Sequence, residues 1–340
     1  MPIPRDLARP ALLGILAAAA IAACDRAPEQ QQTVTVYSSR SHYGAESVFV
    51  AFTRSTGIQV EFFEGNNNEV LERLKTEGER TNADLLLTVD AGNLWNAAQQ
   101  GLLQPVESEV LTANVPAHLR DPGNQWFAIA TRVRTIMYNP ARVNPSELST
   151  YEALGDPKWK GRLCLRTSSA IYNQSLLASL IAIHGEEATE RIVRGWIANE
   201  PIYINGDTQI LEAIAAGRCD VGITNHYYLG RLLAKDSTVS VRPFWADQDG
   251  AGAHVNISGG GVTRHAKNRA AAVRLLEYLT TPEAQQLLAS SSFEYPANPA
   301  VEPHEILARF GSFKPQSIGV SAAGAYQAAA VRLADRADYR

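Results

Sequence analysis

Four tyrosines stand where three helices should begin. They are Tyr43 in Ser38-Ser39-Arg40-Ser41-His42-Tyr43, Tyr172 in Ser168-Ser169-Ala170-Ile171-Tyr172, and the tandem pair in Asn225-His226-Tyr227-Tyr228. Adjacent helical residues project about 100° apart, so a tandem pair in the middle of a helix cannot share one packed face. In the first turn beside a cleft, both rings can point at one small object. A phenol with an ordinary pKa of about 10 keeps its proton at neutral pH unless a strong cation displaces it. Phenolate is a hard oxygen donor and helix N-termini favour anions, so the joint pattern fits a hard trivalent ion, with iron(III) the best match. Taken singly, each tyrosine could equally close a strand end or stack on a small organic solute.

The elements that must position these residues follow from alternating β-rich runs and amphipathic segments. Strands are expected at 34–37, 58–63 and 85–89, with helices at 44–55, 68–79 and 93–100. A long extended stretch at 126–138 leads to a second unit. There, strands at 162–165, 201–204 and 221–224 alternate with helices at 170–184, 187–198 and 208–216. Such alternation is the signature of an α/β protein with mostly parallel sheets. Two units imply two lobes: 33–130, then 131–254, with 255–300 returning to the first lobe through an extended 240–257 and a helical 268–290. Residues 301–340 should place a terminal helix, at 321–334, on the second lobe. In open parallel sheets ligands bind beyond the carboxyl ends of the strands, which is where the tyrosine junctions fall. Ser168 or Ser169 should cap one of those helices and Asn225 the other.

Composition bounds the rest. The 340 residues carry 31 Lys and Arg against 35 Asp and Glu, a formal net charge of −4 with no basic stripe, so no nucleic-acid partner is expected. Arg5 and Arg9 precede an apolar run at 11–23, too short for a permanent membrane span and suited to a secretory signal over 1–23. The run ends Ala22-Ala23-Cys24, which resembles the lipobox of bacterial lipoproteins, and 24–32 has the composition of a flexible tether. Export leaves Cys164 and Cys219 as an even pair in an oxidising compartment, which favours a disulfide. Gly259-Gly260-Gly261 lacks the lysine and spacing of a phosphate loop and reads as a turn or a close approach between lobes. His118, His184, His254 and His265 show no metal-ligand spacing, and His226 is expected to face solvent. No nucleophile–base signature stands out, so the chain reads as a binder rather than an enzyme.

With those residues in view, the chain resembles the periplasmic ferric-ion-binding proteins of bacterial ABC importers. The resemblance runs from Thr33 almost to the C-terminus and is carried by Tyr37-Ser38-Ser39-Arg40, Asp84-Leu85-Leu86-Leu87-Thr88-Val89-Asp90, the segment 132–139, Ile171-Tyr172-Asn173-Gln174 and the tandem tyrosines. It implies a two-lobed type II periplasmic-binding-protein fold of the α/β class, with mixed, mostly parallel sheets and a hinge. Tyr227 and Tyr228 take the roles of two phenolate ligands and Tyr172 that of the third. His42 and Tyr43 resemble the histidine–tyrosine pair of the branch that needs no external anion. The carboxylate ligand of the transferrin-like branch falls at Val89, with Asp90 one residue out of register. Arg132, or Arg134 on the same strand, resembles the arginine that stands behind the phenolates. The resemblance further implies a monomer that closes on Fe(III) as cargo and delivers it to an ABC permease and its ATPase. Lipid on Cys24, with Asp25 as an inner-membrane retention signal, would anchor it in the periplasm. The competing expectation keeps the scaffold but binds a small organic or anionic solute on a tyrosine stacking platform.

Overall fold

A computed structural model describes residues 32–40 and 47–340; the expected signal segment 1–23, Cys24 and the His42-Tyr43 pair lie outside the described residues. The first α/β unit comprises β1 (Thr33–Ser38), α1 (Ser47–Thr56), β2 (Gln59–Glu64), α2 (Asn67–Glu77), β3 (Leu85–Val89) and α3 (Ala91–Gln99). A short α4 (Glu109–Asn114) precedes the long β4 (Phe127–Tyr138). The second unit runs through β5 (Leu163–Leu165), α5 (Ile171–His184), α6 (Glu186–Ala198), β6 (Ile202–Tyr203), α7 (Asp207–Ala215), β7 (Val221–Asn225) and α8 (His226–Lys235). After β8 (Arg242–Phe244) and β9 (His254–Val262) come α9 (Arg269–Leu279), α10 (Pro282–Ser292) and β10 (Tyr295–Pro296). The chain closes with α11 (Glu305–Ala308), α12 (Val320–Gly324) and α13 (Gln327–Arg336).

Local chemistry sets these boundaries. Asn66 and Glu69 form a reciprocal capping box that starts α2, and Gly185, at φ 83°, ends α5 where a side chain would be strained. The expected single helix at 268–290 is two helices, because Thr281 caps a new start and Pro282, with no N–H to give, takes its first position. The expected terminal helix is likewise split, and its first piece, α12, packs against both α3 and α5.

The strand order is β2-β1-β3-β9-β4-β7-β5-β6, with β8 and β10 added along β4. Each flank is parallel, β2-β1-β3 on one side and β7-β5-β6 on the other, while β9 and β4 join them by antiparallel ladders. Every position of β4 is buried, since the strand leaves one hydrophobic core at Val133 and enters another at Ile136. Val36, Phe52, Leu85 and Leu275 belong to the first core; Trp159, Leu177, Trp196 and Leu333 belong to the second. Cys164 of β5 is joined to Cys219 just before β7 by the expected disulfide, with both cysteines buried.

The triple glycine is neither a turn nor an approach between lobes. It lies inside β9 between β3 and β4, and a Cβ on Gly260 would sit 2.5 Å from Leu87 Cδ2 and 2.9 Å from the Leu86 carbonyl oxygen. Only a residue without a side chain fits there.

Candidate metal centre

Strands β5 and β7 are parallel neighbours, Leu163 beside Val221, so the helices that follow them begin at the same end of the sheet. That adjacency brings the start of α5, with Tyr172, to the start of α8, with Tyr227 and Tyr228. The caps differ from expectation: Ala170, not Ser168 or Ser169, stands at the N-cap of α5, and Asn225 occupies the N-cap of α8 without a side-chain capping bond. Asn225 instead donates from Nδ2 to the Tyr227 hydroxyl at 3.5 Å. Helix-start N–H groups are therefore left for other partners.

Three of the expected tyrosines converge. The Tyr227 and Tyr228 rings lie 4.3 Å apart between centroids and 33° from parallel. The Arg132 guanidinium carbon is 5.4 Å from the Tyr227 ring and 5.7 Å from the Tyr172 ring. Arg166 approaches Tyr172 to 5.4 Å, and Arg231 approaches Tyr227 to 5.1 Å. Burial pushes the Tyr227 phenol well above its usual range, and the neighbouring Tyr172 adds to the shift against the opposing pull of Arg132. Tyr228 is raised for the same first two reasons. Both phenols thus stay protonated at neutral pH.

Arg132 itself is buried, paired with Glu294 and hydrogen-bonded to the Ser258 hydroxyl. Burial alone would weaken its hold on the proton, but the Glu294 charge and the two tyrosines outweigh burial and raise its pKa. Glu294 lies in turn 2.7 Å from Arg40. Burial works against the Glu294 carboxylate, yet Arg132 and Arg40 overcome it and hold its pKa down to about 2. Arg134, two residues further along the same face, is not at the tyrosines: it pairs with Asp207 at 2.8 Å and donates to Asn173.

Asp90 is buried away from the tyrosines. At φ 81° it turns the chain out of β3, caps α3 through Gly92 N–H, and accepts from Ser175 Oγ and from Asn256 Nδ2. Desolvation raises its carboxyl. His226 corrects the expectation that it faces solvent. It is fully buried, accepts from Val133 N–H at 3.0 Å through Nδ1 and stacks on Tyr295, and burial pushes its pKa down to about 3. As the first residue of α8 its side chain turns back onto β4, which fastens that helix start to the long strand.

Sequence reading missed Glu294 entirely. It sits in Ser292-Phe293-Glu294-Tyr295 with no motif around it, and only the pairing of β10 with β4 carries it to Arg132. Among the described residues, no group of three or more His, Cys, Asp or Glu side chains is arranged to hold a metal ion.

Parallel flanks bridged by two antiparallel strands, with the tyrosine junctions beside the crossing, are the architecture of the type II periplasmic binding proteins. The chain belongs to the bacterial extracellular solute-binding protein family, which matches residues 47–313. Among curated relatives, iron uptake protein A1 of Synechocystis is 42% identical over 320 residues, covering 92% of this chain and 89% of that protein. The solved structure of the Trichodesmium protein IdiA/FutA, in complex with iron and citrate ligands, superposes with a TM-score of 0.86 at 44% identity, over 91% of this chain and 100% of that one. The ferric binding protein from Campylobacter jejuni superposes with a TM-score of 0.85 at 34% identity, over 90% and 100% respectively.

Proposed function

We propose that this protein captures ferric iron with Tyr172, Tyr227 and Tyr228, joined by His42 and Tyr43, and hands it to an ABC permease powered by a cytoplasmic ATPase. The observation that carries the reading is the meeting of three phenols, Tyr172 and Tyr227 beside the buried guanidinium of Arg132 and Tyr228 against the Tyr227 ring, in a chain whose relatives are named for iron uptake and ferric binding. Phenolates suit a hard +3 ion, and a fixed cation behind them offsets the negative charge they bring. Residues 33–130 and 255–300 form one lobe on this reading and 131–254 the other, with α13 packed on the second and α12 lying against both α3 and α5. His42 and Tyr43 then approach from the first lobe and the other tyrosines from the second, so the ion draws the lobes together. Strand β4, which passes from one core into the other, is the natural hinge.

The protein works as a periplasmic monomer, tethered through lipid on Cys24 by the segment 24–32. Among the described residues no helix is long and apolar enough to cross a membrane. Adding ferric nitrilotriacetate to the purified protein should produce a visible phenolate-to-iron charge-transfer band. Tyr227→Phe with Tyr228→Phe should abolish it while leaving the fold intact, because phenylalanine keeps the ring and removes only the donor. A band of undiminished strength in that double variant would sink the ligand assignment. Mass spectrometry of the mature chain tests the lipid on Cys24 separately.

A further inference from the structure

Beside the tyrosines lies a buried cluster of charges, Arg132, Glu294 and Arg40. Glu294 follows Phe293, which stands in the left-handed region at φ 58°, a conformation a bulky side chain seldom adopts without compensation. That turn aims the Glu294 carboxylate inward. There it meets Arg132, accepts from Ser258 Oγ at 3.1 Å and lies 2.7 Å from Arg40, itself two residues before His42. Arg132, Arg40 and Glu294 are each 2% exposed. One carboxylate therefore ties the strand beneath Tyr172 and Tyr227 to Arg40, just after the end of β1.

We propose that Glu294 sets the affinity of the iron site by cancelling part of the positive charge that Arg132 presents to the phenolates. The inference rests on the iron reading above. Tyr172 and Tyr227, the two rings beside Arg132, are neutral when the site is empty and carry a negative charge each, facing that guanidinium, once they bind iron as phenolates. A buried cation beside them favours the loaded state, and a buried anion opposes it. Arg132 holds iron; Glu294 restrains that hold and so eases release. It also positions Arg132, since the guanidinium reaches both Glu294 and Ser258.

A purely structural carboxylate and a charge-setting one differ in the sign of what they do. Competition against nitrilotriacetate at fixed pH and low salt measures ferric affinity in the wild type, Glu294→Gln, Arg132→Gln and the double variant. Glutamine keeps the size and one accepting oxygen of Glu294 but not its charge. Glu294→Gln should tighten binding on the order of tenfold, Arg132→Gln should weaken it by a similar factor, and the double variant should fall between them. All three should keep the charge-transfer band, because no donor is removed.

Weakened binding in Glu294→Gln would overturn the assignment. Should that variant not fold, the double variant decides, since removing both partners of a buried pair is tolerated better than removing one. It must then bind iron more tightly than Arg132→Gln alone; equal or weaker binding overturns the proposal. A wild-type protein with no band at all would overturn the iron reading and this assignment with it, whereas a wild-type band with both single variants weakened overturns this assignment only.

Discussion

Asn173 Oδ1 accepts two hydrogen bonds from the Arg134 guanidinium, from Nε at 3.0 Å and from Nη2 at 2.7 Å, and so fastens the first turn of α5 to β4. The same side chain donates to the Arg166 and Thr167 carbonyls and to the Tyr339 hydroxyl. Tyr172 is its immediate neighbour, and its ring position depends on that anchorage. Asn173→Ala should therefore destabilise the fold by about 2–4 kcal/mol, because it leaves buried donors of Arg134 without their acceptor. It should also weaken ligand binding while leaving all the tyrosines present. Chemical denaturation and a ferric titration check the two effects; a variant with unchanged stability would show that Arg134 finds another partner.

The disulfide joins β5 to the residues just before β7, the two strands that lead to the tyrosine helices. Cys164 and Cys219 are separated by 55 positions, and closing a loop of that size in the unfolded chain is worth roughly 4 kcal/mol by the chain-entropy account. Replacing both cysteines by serine should lower the melting temperature by several degrees and leave the charge-transfer band in place. Loss of the band at temperatures where the variant is still folded would mean that the bridge also positions α8.

What could be read from the sequence was what local pattern decides. The alternation of strand and helix placed β3 at 85–89 as observed, and it put α5, α6 and α7 within a residue or two of their ends. The three tyrosines that meet were legible because each stands just after a strand, and parallel neighbours open at one end. What escaped depends on pairing across distance. The glycines of β9 look like a turn until β3 and β4 are laid against them. His226 looks solvent-facing until Val133 N–H is seen to need an acceptor. Glu294 had no local signal at all, and 162 positions separate it from Arg132. Ser168 and Ser169 were good capping types in nearly the right place, yet the chain entered α5 one residue later.

His254 offers a test of acid stability that does not involve iron. Its ring is buried, Nδ1 lies 2.9 Å from Ser179 Oγ and 3.0 Å from Gln316 Oε1, and burial, with Arg134 nearby, pushes its pKa down to about 4. In the unfolded chain the same ring titrates at about 6.5. Below that value the unfolded state binds a proton that the folded state refuses, so stability falls as pH drops. The loss accumulates between pH 6.5 and the folded value and levels off below it, reaching about 3 kcal/mol. His254→Gln should flatten that acid limb in the metal-free protein, whatever it costs at neutral pH. Parallel stability–pH curves for variant and wild type would assign the acid sensitivity elsewhere.

Proton release on loading is the sharpest test of the tyrosine site. Burial raises the phenols of Tyr227 and Tyr228, so at pH 5–8 both carry their protons when the site is empty. Each one that becomes a ligand must then give up nearly a whole proton to solution. Competition between metal and proton makes apparent affinity fall as pH falls, about tenfold per pH unit for every proton displaced. Four phenolates would give a fourfold steeper logarithmic slope than one. Free ferric iron and its chelators also change with pH, so the count is best made directly, by loading from a chelate of known proton stoichiometry in weakly buffered solution. Three or four protons released per iron are expected. Zero or one would mean that most of these rings only stack on the ligand, as they would around a small organic solute, and Tyr227→Phe would then leave the proton count unchanged.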